Sequence, residues 1–371
     1  MARDDKAVRV GIVGLGGMGR HHAENIVGLG HEVVAGADVV SDTRERFAEE
    51  CGVATYETHE KLYENEELDA VVITTPNKFH EPAAISALES GYSVLCEKPL
   101  AHSLAAAERI ATAAYDADGF CMVGFHNRFS TPASIFKEYQ SEGRFGDITH
   151  IQANYVRRRG IPGIGSWFTN KELSGGGSLI DIGVHVLDFT LYLLDFPEII
   201  EVSGVTRSDF GMRDDYADPD NWGGNWDTAS DTFDVDDSTT AFIRCADGQT
   251  ITLEVSWAAQ QTPTTECVVR GTEAGAEFDF HDDSITLIDS GKQGVDHYSD
   301  TQISGNLEPS GHEAQDSLFL ESVAADESPQ LNTVEQGLTV QRVIDAIYRS
   351  SEEGRTQTLT ADSEKPKLLQ Q

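Results

Sequence analysis

Lysine, cysteine and long apolar runs are all scarce in this sequence, and each scarcity excludes a class of protein. Only 9 of the 371 residues are Lys, and acidic residues outnumber basic ones 63 to 27, so the formal net charge at pH 7 is -36. A surface of that charge repels phosphate almost everywhere, which excludes a nucleic-acid-binding protein. Carboxylates hold water and cations at high salt, and the composition therefore predicts a protein from a halophile.

Five cysteines are present, at scattered positions and without a Cys-x-x-Cys spacing. Neither a disulfide framework nor a zinc site is supported, and we interpret the five thiols as reduced core residues. The most apolar long stretch, residues 178–200, is interrupted by Asp181, His185, Asp188 and Asp195, which a bilayer span would not tolerate. The charged residues 1–6 lead directly into a strand without an apolar signal segment. We therefore expect a cytoplasmic protein with no membrane partner.

The length and the 39% hydrophobic content predict two domains, and the first third of the chain has the pattern of a parallel sheet. Short apolar runs predict strands at residues 8–13, 32–38, 69–75, 92–96 and 120–125. Amphipathic stretches such as 79–90 and 103–118 separate these runs and predict crossover helices. We predict the α/β fold class, with a doubly wound parallel sheet in a first domain over residues 1–126.

The pattern changes after residue 126, where helices near 132–142 and 179–194 flank a predicted strand at 148–156. Further strands separated by short turns are predicted at 240–245, 250–257, 265–270 and 277–280. Helices at 313–325 and 334–351 precede a polar tail over 355–371. We predict a C-terminal α+β domain over residues 127–354, built on an open, mostly antiparallel sheet.

The segment 209–237 stands apart because it contains ten acidic residues and one Arg. We interpret it as a long, solvated acidic loop between strands. A cation-binding or lid role is the alternative.

A glycine-rich motif, Gly-Leu-Gly-Gly-Met-Gly, occupies residues 14–19 between the first predicted strand and a helix. In that context Gly14 permits a tight turn, Gly16 lets the backbone approach a pyrophosphate, and Gly19 allows close helix packing. The anion would face the helix N-terminus. Asp38 ends the second strand, where its carboxylate can accept hydrogen bonds from an adenosine ribose. Together these residues predict a dinucleotide site.

The choice of dinucleotide depends on Asp38, because its carboxylate repels a 2′-phosphate. No basic residue follows it directly, although Arg44 and Arg46 lie within a turn or two. We favour NAD, and NADP is the alternative.

Two further strand ends carry polar residues at the edge where open parallel sheets bind ligands. We assign Thr75, Pro76 and Asn77 after one strand, and Glu97 and Lys98 after the next, to the cofactor site together with Gly14, Gly16, Met18, Gly19 and Asp38. His80 follows nearby and is interpreted as shaping the loop. A third motif, Gly-Gly-Gly-Ser-Leu-Ile-Asp-Ile-Gly-Val-His, spans residues 175–185.

With these motifs in this order, the chain resembles the glucose-fructose oxidoreductase, inositol dehydrogenase and rhizopine-catabolism family (Gfo/Idh/MocA) from Val8 to about Gly354. The resemblance implies a Rossmann domain and NAD(P)-linked oxidation or reduction of a sugar, polyol or inositol. It also implies a homodimer or homotetramer formed through the C-terminal sheet. Lys98 matches the family's active-site lysine, and Asp181 and His185 match its polar pair, with His185 in the position of the proton acceptor.

The chemistry of alcohol oxidation agrees with these catalytic assignments. A base with a pKa near neutrality must take the hydroxyl proton, which suits His185. Asp181 lies four residues before it on the predicted helix, hence on one face, and can orient the imidazole. Lys98 would stabilise the developing alkoxide. The alternatives are a helix cap for Asp181, a buried core histidine and a surface lysine. No metal site is predicted, because Asp181 and His185 lack a clear third ligand.

The substrate-binding residues are predicted less directly. Asn127 and Arg128 occur where the family often lines its pocket, and Trp167 precedes the glycine-rich motif. Arg157 and Arg159 share one face of an extended strand and could meet substrate hydroxyls or a carboxylate, with pairing to acidic side chains as the alternative. A cofactor-retaining glycosidase of the same family and a non-catalytic sugar or nucleotide sensor are the competing functions.

Overall fold

The computed structural model describes residues 7–224 and 233–359, and this part of the chain forms two compact units. The first unit comprises residues 7–126 and 309–341, and the second comprises the described residues of 127–308 and of 342–359.

The strands are β1 (Arg9–Val13), β2 (Glu32–Ala37), β3 (Ala54–Tyr56), β4 (Ala70–Ile73), β5 (Ser93–Cys96), β6 (Cys121–Val123), β7 (Ile148–Val156), β8 (Ile199–Arg207), β9 (Ser238–Cys245), β10 (Thr250–Ser256), β11 (Glu266–Gly271), β12 (Gly275–Asp279), β13 (Ser284–Gly291), β14 (His297–Ser304) and β15 (Gln357–Thr358). The helices are α1 (Gly17–Gly28), α2 (Ser41–Cys51), α3 (His59–Asn65), α4 (His80–Glu89), α5 (Leu104–Asp116), α6 (Thr131–Ser141), α7 (Lys171–Ser174), α8 (Val184–Leu193), α9 (Gly311–Ala325) and α10 (Val334–Glu353).

The first unit is built on a parallel six-stranded sheet in the order β3-β2-β1-β4-β5-β6. Every residue of β4 and β5 is buried, as expected for strands covered by helices on both faces. Burying each Val, Leu or Ile there stabilises the unit by about 1.5–3 kcal/mol. This is the doubly wound α/β sheet that the sequence predicted, and the strand order reverses between β1 and β4.

The second unit contains a nine-stranded sheet in the order β14-β13-β12-β11-β7-β10-β9-β8-β15. Its strand pairs are antiparallel except β7 and β10, which run parallel with Val156 opposite Ser256. Along β9 buried and exposed residues alternate, so one face packs on helices and the other is open. The predicted open, mostly antiparallel sheet is therefore confirmed.

The division of the chain differs from the predicted domains in two places. Residues 309–341, expected in the C-terminal domain, belong to the first unit, because α9 packs against α1 and Thr333 pairs with Met122 beside β6. Gln357 and Thr358, expected in a polar tail, form β15 and pair with β8.

The cysteines and the helices test two expectations that came from composition. All five cysteines are free, and four are buried, but Cys51 is exposed. The core interpretation is wrong for Cys51 because it ends α2, whose single buried residue is Phe47. Among the described residues, no helix is both long and apolar enough to cross a bilayer.

Candidate active site

The glycine-rich loop after β1 has the geometry that a dinucleotide pyrophosphate requires. Gly14 adopts φ +93°, a left-handed conformation that favours glycine, and a Cβ there would lie 2.8 Å from the Thr74 carbonyl carbon and the Thr75 nitrogen. A Cβ on Gly19 would overlap the Gly14 carbonyl oxygen. By contrast, a Cβ on Gly16 would meet nothing within 4 Å, directly before α1 begins. The loop is therefore open where an anion can approach the helix N-terminus.

Asp38 holds this loop at the end of β2. One carboxylate oxygen accepts a hydrogen bond from the Leu15 N–H at 2.8 Å, and the other accepts from the Val40 N–H at 2.9 Å. The Arg44 guanidinium donates to the Asp38 carbonyl oxygen at 2.7 Å. Each carboxylate oxygen keeps a lone pair beyond its backbone partner, which is what a ribose hydroxyl would use.

The ends of β4 and β5 lie side by side, because Ile73 pairs with Cys96 in the parallel register. His80 connects the loops that follow: Nδ1 lies 2.9 Å from the Pro99 carbonyl oxygen, and Nε2 lies 2.8 Å from the Thr75 carbonyl oxygen. Burial lowers the pKa of His80, and the contacts with the Thr75 and Pro99 carbonyl oxygens oppose that shift. His80 thus shapes the strand-end loops, as the sequence predicted.

The remaining predicted cofactor residues occupy the same edge of the first sheet. Asn77 is buried in a short turn after β4, whereas Met18 is partly exposed in the first turn of α1. Glu97 is buried, and one of its carboxylate oxygens accepts from the backbone N–H of Lys98 at 3.1 Å. Gly14 follows β1 and Lys98 follows β5, with β4 between them, so the two strand ends are about 10 Å apart.

In the second unit, Asp236 holds the glycine-rich motif that precedes α8. One oxygen accepts from the Gly177 N–H and from the Tyr348 hydroxyl, each at 2.8 Å. The other accepts from the Ser178 hydroxyl at 2.8 Å and the Leu179 N–H at 2.9 Å. A Cβ on Gly177 would overlap the Asp236 backbone. Asp236 therefore caps the helix start, the task that the sequence suggested as an alternative for Asp181.

Asp181 lies in a π-helical turn, Leu179–Gly183, that runs directly into α8. The prediction of one continuous α-helix through Asp181 and His185 is therefore wrong, while their shared face stays a prediction. The fully buried Trp257 indole donates a hydrogen bond to an Asp181 carboxylate oxygen at 2.9 Å. His185 follows in the first turn of α8. π-turns of this kind are frequent at functional sites.

The parallel pairing of β7 and β10 places Arg157 next to Trp257, because the Arg157 N–H bonds to the Ser256 carbonyl oxygen at 2.8 Å. Both residues therefore lie at the edge of the second sheet where Asp181 is held. The Arg157 guanidinium lies 4.4 Å from the Trp222 ring centroid. Arg159 lies 4.9 Å from the ring centroid of Phe210 and donates to the Ala259 carbonyl oxygen at 3.1 Å.

These contacts bear on the alternatives for the two arginines. Within the described residues, rings of the acidic loop and backbone oxygens contact them. That they bind substrate, or pair with acidic side chains instead, stays a prediction. The Asp237 carboxylate closes the loop by accepting from the Phe210 and Gly211 N–H groups, and the Asp237 N–H bonds the loop to the Arg207 carbonyl oxygen at the end of β8 at 2.8 Å. Residues 225–232 of the loop, including Trp226, lie outside the described part of the chain.

Arg128, expected at the pocket, is instead a core residue. Its guanidinium makes a bidentate pair with buried Asp188 on α8 and lies 4.8 Å from the Phe196 ring centroid. Burial raises the pKa of Asp188, and the guanidinium opposes that shift. Asn127 precedes it in a short turn and is half-buried, and Trp167 stacks on Phe168 with a centroid distance of 3.8 Å.

Comparison with known proteins gives the class. Residues 8–125 match a family model described as an oxidoreductase family with an NAD-binding Rossmann fold, and residues 136–277 match the GFO/IDH/MocA C-terminal domain. D-glucoside 3-dehydrogenase of Escherichia coli is 31% identical over 292 residues, covering 77% of this chain and 78% of the relative. Levoglucosan dehydrogenase of Pseudarthrobacter phenanthrenivorans is 26% identical over 290 residues, covering 74% of each.

A solved structure of levoglucosan dehydrogenase, in complex with NADH and levoglucosan, has the same fold, with a TM-score of 0.82 at 22% identity. The match covers 95% of this chain and 99% of that one. The fold and the dinucleotide loop define an NAD(P)-dependent oxidoreductase. The chain belongs to the Gfo/Idh/MocA family.

Proposed function

We propose that this oxidoreductase transfers hydride between a secondary alcohol of a cyclic sugar and a nicotinamide cofactor, with the proton handled by its own side chains. The observation that carries the proposal is the common edge of the first sheet, where the dinucleotide loop and Lys98 follow strands two positions apart. When bound, the nicotinamide supplies the hydride acceptor or donor.

The proposed catalytic residues are Lys98, Asp181 and His185. The Lys98 ammonium donates a hydrogen bond to the reacting oxygen and stabilises negative charge as it develops there. The His185 imidazole takes the hydroxyl proton, since its ordinary pKa lies near neutrality. Asp181, itself fixed by the Trp257 indole, orients the imidazole and favours the charged ring that forms.

The proposed cofactor site comprises Gly14, Gly16, Met18, Gly19, Asp38, Thr75, Pro76, Asn77, Glu97 and Lys98. NAD is favoured because the Asp38 carboxylate, held by two backbone N–H groups, would repel a 2′-phosphate. Arg44, the nearest candidate to pair with such a phosphate, is bonded to a backbone oxygen.

A cyclic sugar is favoured as the substrate because D-glucoside 3-dehydrogenase and levoglucosan dehydrogenase are among the relatives of this chain. We propose that Asn127, Arg157, Arg159 and Trp167 bind it. Arg157 offers hydrogen-bond donors, and the adjacent Trp222 ring, which is partly exposed, offers an apolar surface for a sugar face.

The test is a panel of glucosides, anhydrosugars, free aldoses and inositols assayed with NAD⁺ and with NADP⁺. We expect NADH to appear in equal amount with a keto sugar. Release of an aglycone without net NADH would instead show the cofactor-retaining glycosidase. Saturable sugar binding without turnover by either cofactor would show the sensor.

We further propose a halophilic source, a cytoplasmic location and a homodimer or homotetramer formed through the open sheet face of the second unit. The acidic composition supports the halophilic source. Partly exposed Phe242 and Val205 on neighbouring strands support the homodimer or homotetramer, because apolar side chains on an open sheet face favour association. Light scattering checks the assembly.

A further inference from the structure

A buried row of acidic and imidazole side chains leads to Lys98 through the interior of the first unit. The His22 ring on α1 is completely buried between two carboxylates. Its Nδ1 lies 2.8 Å from Asp316 Oδ1 on α9, and its Nε2 lies 3.1 Å from Glu97 Oε1. The second oxygen of Glu97 accepts from the Lys98 N–H at 3.1 Å. Three hydrogen bonds therefore join Asp316 to the main chain at Lys98.

The geometry favours a charged ring when both neighbouring carboxyls are ionised. A neutral imidazole has one N–H, so one of its two nitrogens would face a carboxylate oxygen with a lone pair. Only the imidazolium donates to both carboxylates. Burial opposes the charged ring, but the bonds to Asp316 and Glu97 outweigh it and raise the pKa of His22 to about 10. Burial also opposes ionisation of Glu97, but the His22 bond lowers the pKa of that carboxyl to about 2.

The surroundings leave little room for the row to rearrange. A Cβ on Gly124 would lie 2.7 Å from Glu97 Oε1, so the chain after β6 packs directly on this carboxylate. Asn25, one turn after His22 on α1, donates to Asp316 at 2.8 Å. The other titratable groups facing His22 are the imidazoles of His21, His126 and His312.

His22 lies three residues after Gly19, on the helix whose N-terminus would bind the pyrophosphate. The row therefore connects the cofactor helix to the loop that carries the proposed catalytic lysine. We propose that His22 and Asp316 are positioning residues that hold Glu97, and through it the main chain at Lys98, in one unit with α1. This inference rests on the proposed role of Lys98.

The proposal predicts a specific pattern of coupling. Gln has both N–H donors on one nitrogen, so in His22→Gln the side chain cannot donate to the Asp316 and Glu97 carboxylates on its two sides as the ring nitrogens do. Glu97 and the Lys98 main chain then lose their fixed position. We expect turnover to fall at least tenfold, since displacing a catalytic group by about 1 Å can cost about 100-fold. NADH affinity, measured by fluorescence, should fall by a smaller factor than turnover, because Gly14, Gly16 and Asp38 are untouched and only Glu97 and Lys98 of the proposed cofactor residues are displaced. The isosteric Asp316→Asn should lower turnover in the same direction.

The decisive measurement is a double-mutant cycle with Lys98→Ala. If His22 acts through Lys98, adding His22→Gln to Lys98→Ala should lower the residual turnover by less than about twofold. If His22 has a purely structural role, His22→Gln should lower turnover by the same factor in wild type and in Lys98→Ala. That result would overturn the proposal. The matched control is His31→Gln. His31 accepts a hydrogen bond from the Val8 N–H at the amino-terminal end of β1, away from the strand ends that carry the proposed site. Its turnover should equal that of wild type.

A second readout does not depend on turnover. Nitrogen NMR of histidine-labelled protein should show both His22 ring nitrogens protonated from pH 6 to 9. A neutral His22 tautomer at pH 7 contradicts the proposal. Absence of turnover on every sugar with a charged His22 would instead overturn the proposed function and leave the row intact.

Discussion

Lys98 and His185 are the two residues whose chemistry is needed only while the alcohol is reacting. We expect Lys98→Ala and His185→Ala each to lower turnover by about 100-fold or more, because alkoxide stabilisation and proton removal act in the transition state. NADH binding should survive in both. Steady-state kinetics and NADH fluorescence measure the two effects separately.

Exposed residues of the same types provide the controls for those variants. Lys61, on the surface in an ion pair with Glu57, and His297, on the exposed strand β14, should tolerate alanine without loss of turnover. Turnover within a few-fold of wild type for both Lys98→Ala and His185→Ala would contradict the catalytic assignment.

Asp38 determines the cofactor preference in this proposal. Asp38→Ser removes the ribose acceptor and the charge that repels a 2′-phosphate. It also weakens the bond to the Leu15 N–H. We therefore expect weaker NAD binding and an NAD-to-NADP affinity ratio that falls by at least about tenfold. An unchanged ratio would mean that this carboxylate does not face the ribose.

At the scale of elements, the start of α8 depends on the absence of a side chain at Gly177. In Gly177→Ala the new Cβ overlaps the Asp236 backbone, so either the cap or the π turn must move. We expect a loss of at least about 2 kcal/mol of unfolding free energy, together with reduced turnover.

Gly28→Ala at the end of α1 is the comparison for that variant, because a Cβ there meets nothing within 4 Å. It should be neutral or stabilise the fold by up to about 1 kcal/mol, since Ala is the better helix former. Chemical denaturation measures both. Equal stability of the two variants would show that the Asp236 cap adapts freely.

Elements were predictable where the signal is local. The apolar runs of β1, β4 and β5 and the alternation in β9 are visible within a few residues of sequence. The roles of Asp236 and Trp257 could not be predicted. They contact the glycine-rich motif from 59 and 76 residues away, and no local sequence pattern indicates such contacts. Asp316 lies 294 residues from His22, so only the folded chain shows the pair.

The partners of three arginines could not be predicted from their positions in the sequence. Arg128 was predicted at a pocket from its position after β6, but a guanidinium with both a carboxylate and rings within reach can be buried. The common face of Arg157 and Arg159 stays a prediction, and the rings of Trp222 and Phe210 that contact them come from a loop that composition describes only as acidic.

The His22 row predicts the pH dependence of stability of the first unit. In the folded state the pKa of His22 is about 10, above the ordinary value of 6.5, so the folded state binds this proton more tightly than the unfolded state does. The resulting stability is fully present below pH 6.5 and is lost as the pH rises through 10. We expect the unfolding free energy to fall between pH 7 and 10 more steeply in wild type than in His22→Gln. Parallel curves in denaturant titrations would contradict this.

At the scale of the whole molecule, charge is the dominant property. Even if each of the 27 basic residues paired with one acid, 36 carboxylates would keep no cation of their own. Two charge clusters of the described structure, Asp316–His22–Glu97 and Arg128–Asp188, are internal and screened little by salt. The excess negative charge therefore acts mainly at the surface, where the carboxylates repel one another and oppose folding and assembly.

Salt should relieve that repulsion without acting on the cofactor site. The Debye length falls from about 10 Å at 0.1 M to about 3 Å at 1 M, which screens the surface carboxylates from one another. The dinucleotide phosphates would be bound by backbone N–H groups at α1 rather than by surface cations, so binding there should lose little. We expect the thermal midpoint and the turnover to rise together from low to molar KCl, with NaCl giving a similar rise. Calorimetry and initial rates across both salts measure this, and a flat or falling midpoint would show that the acidic surface is not a salt adaptation.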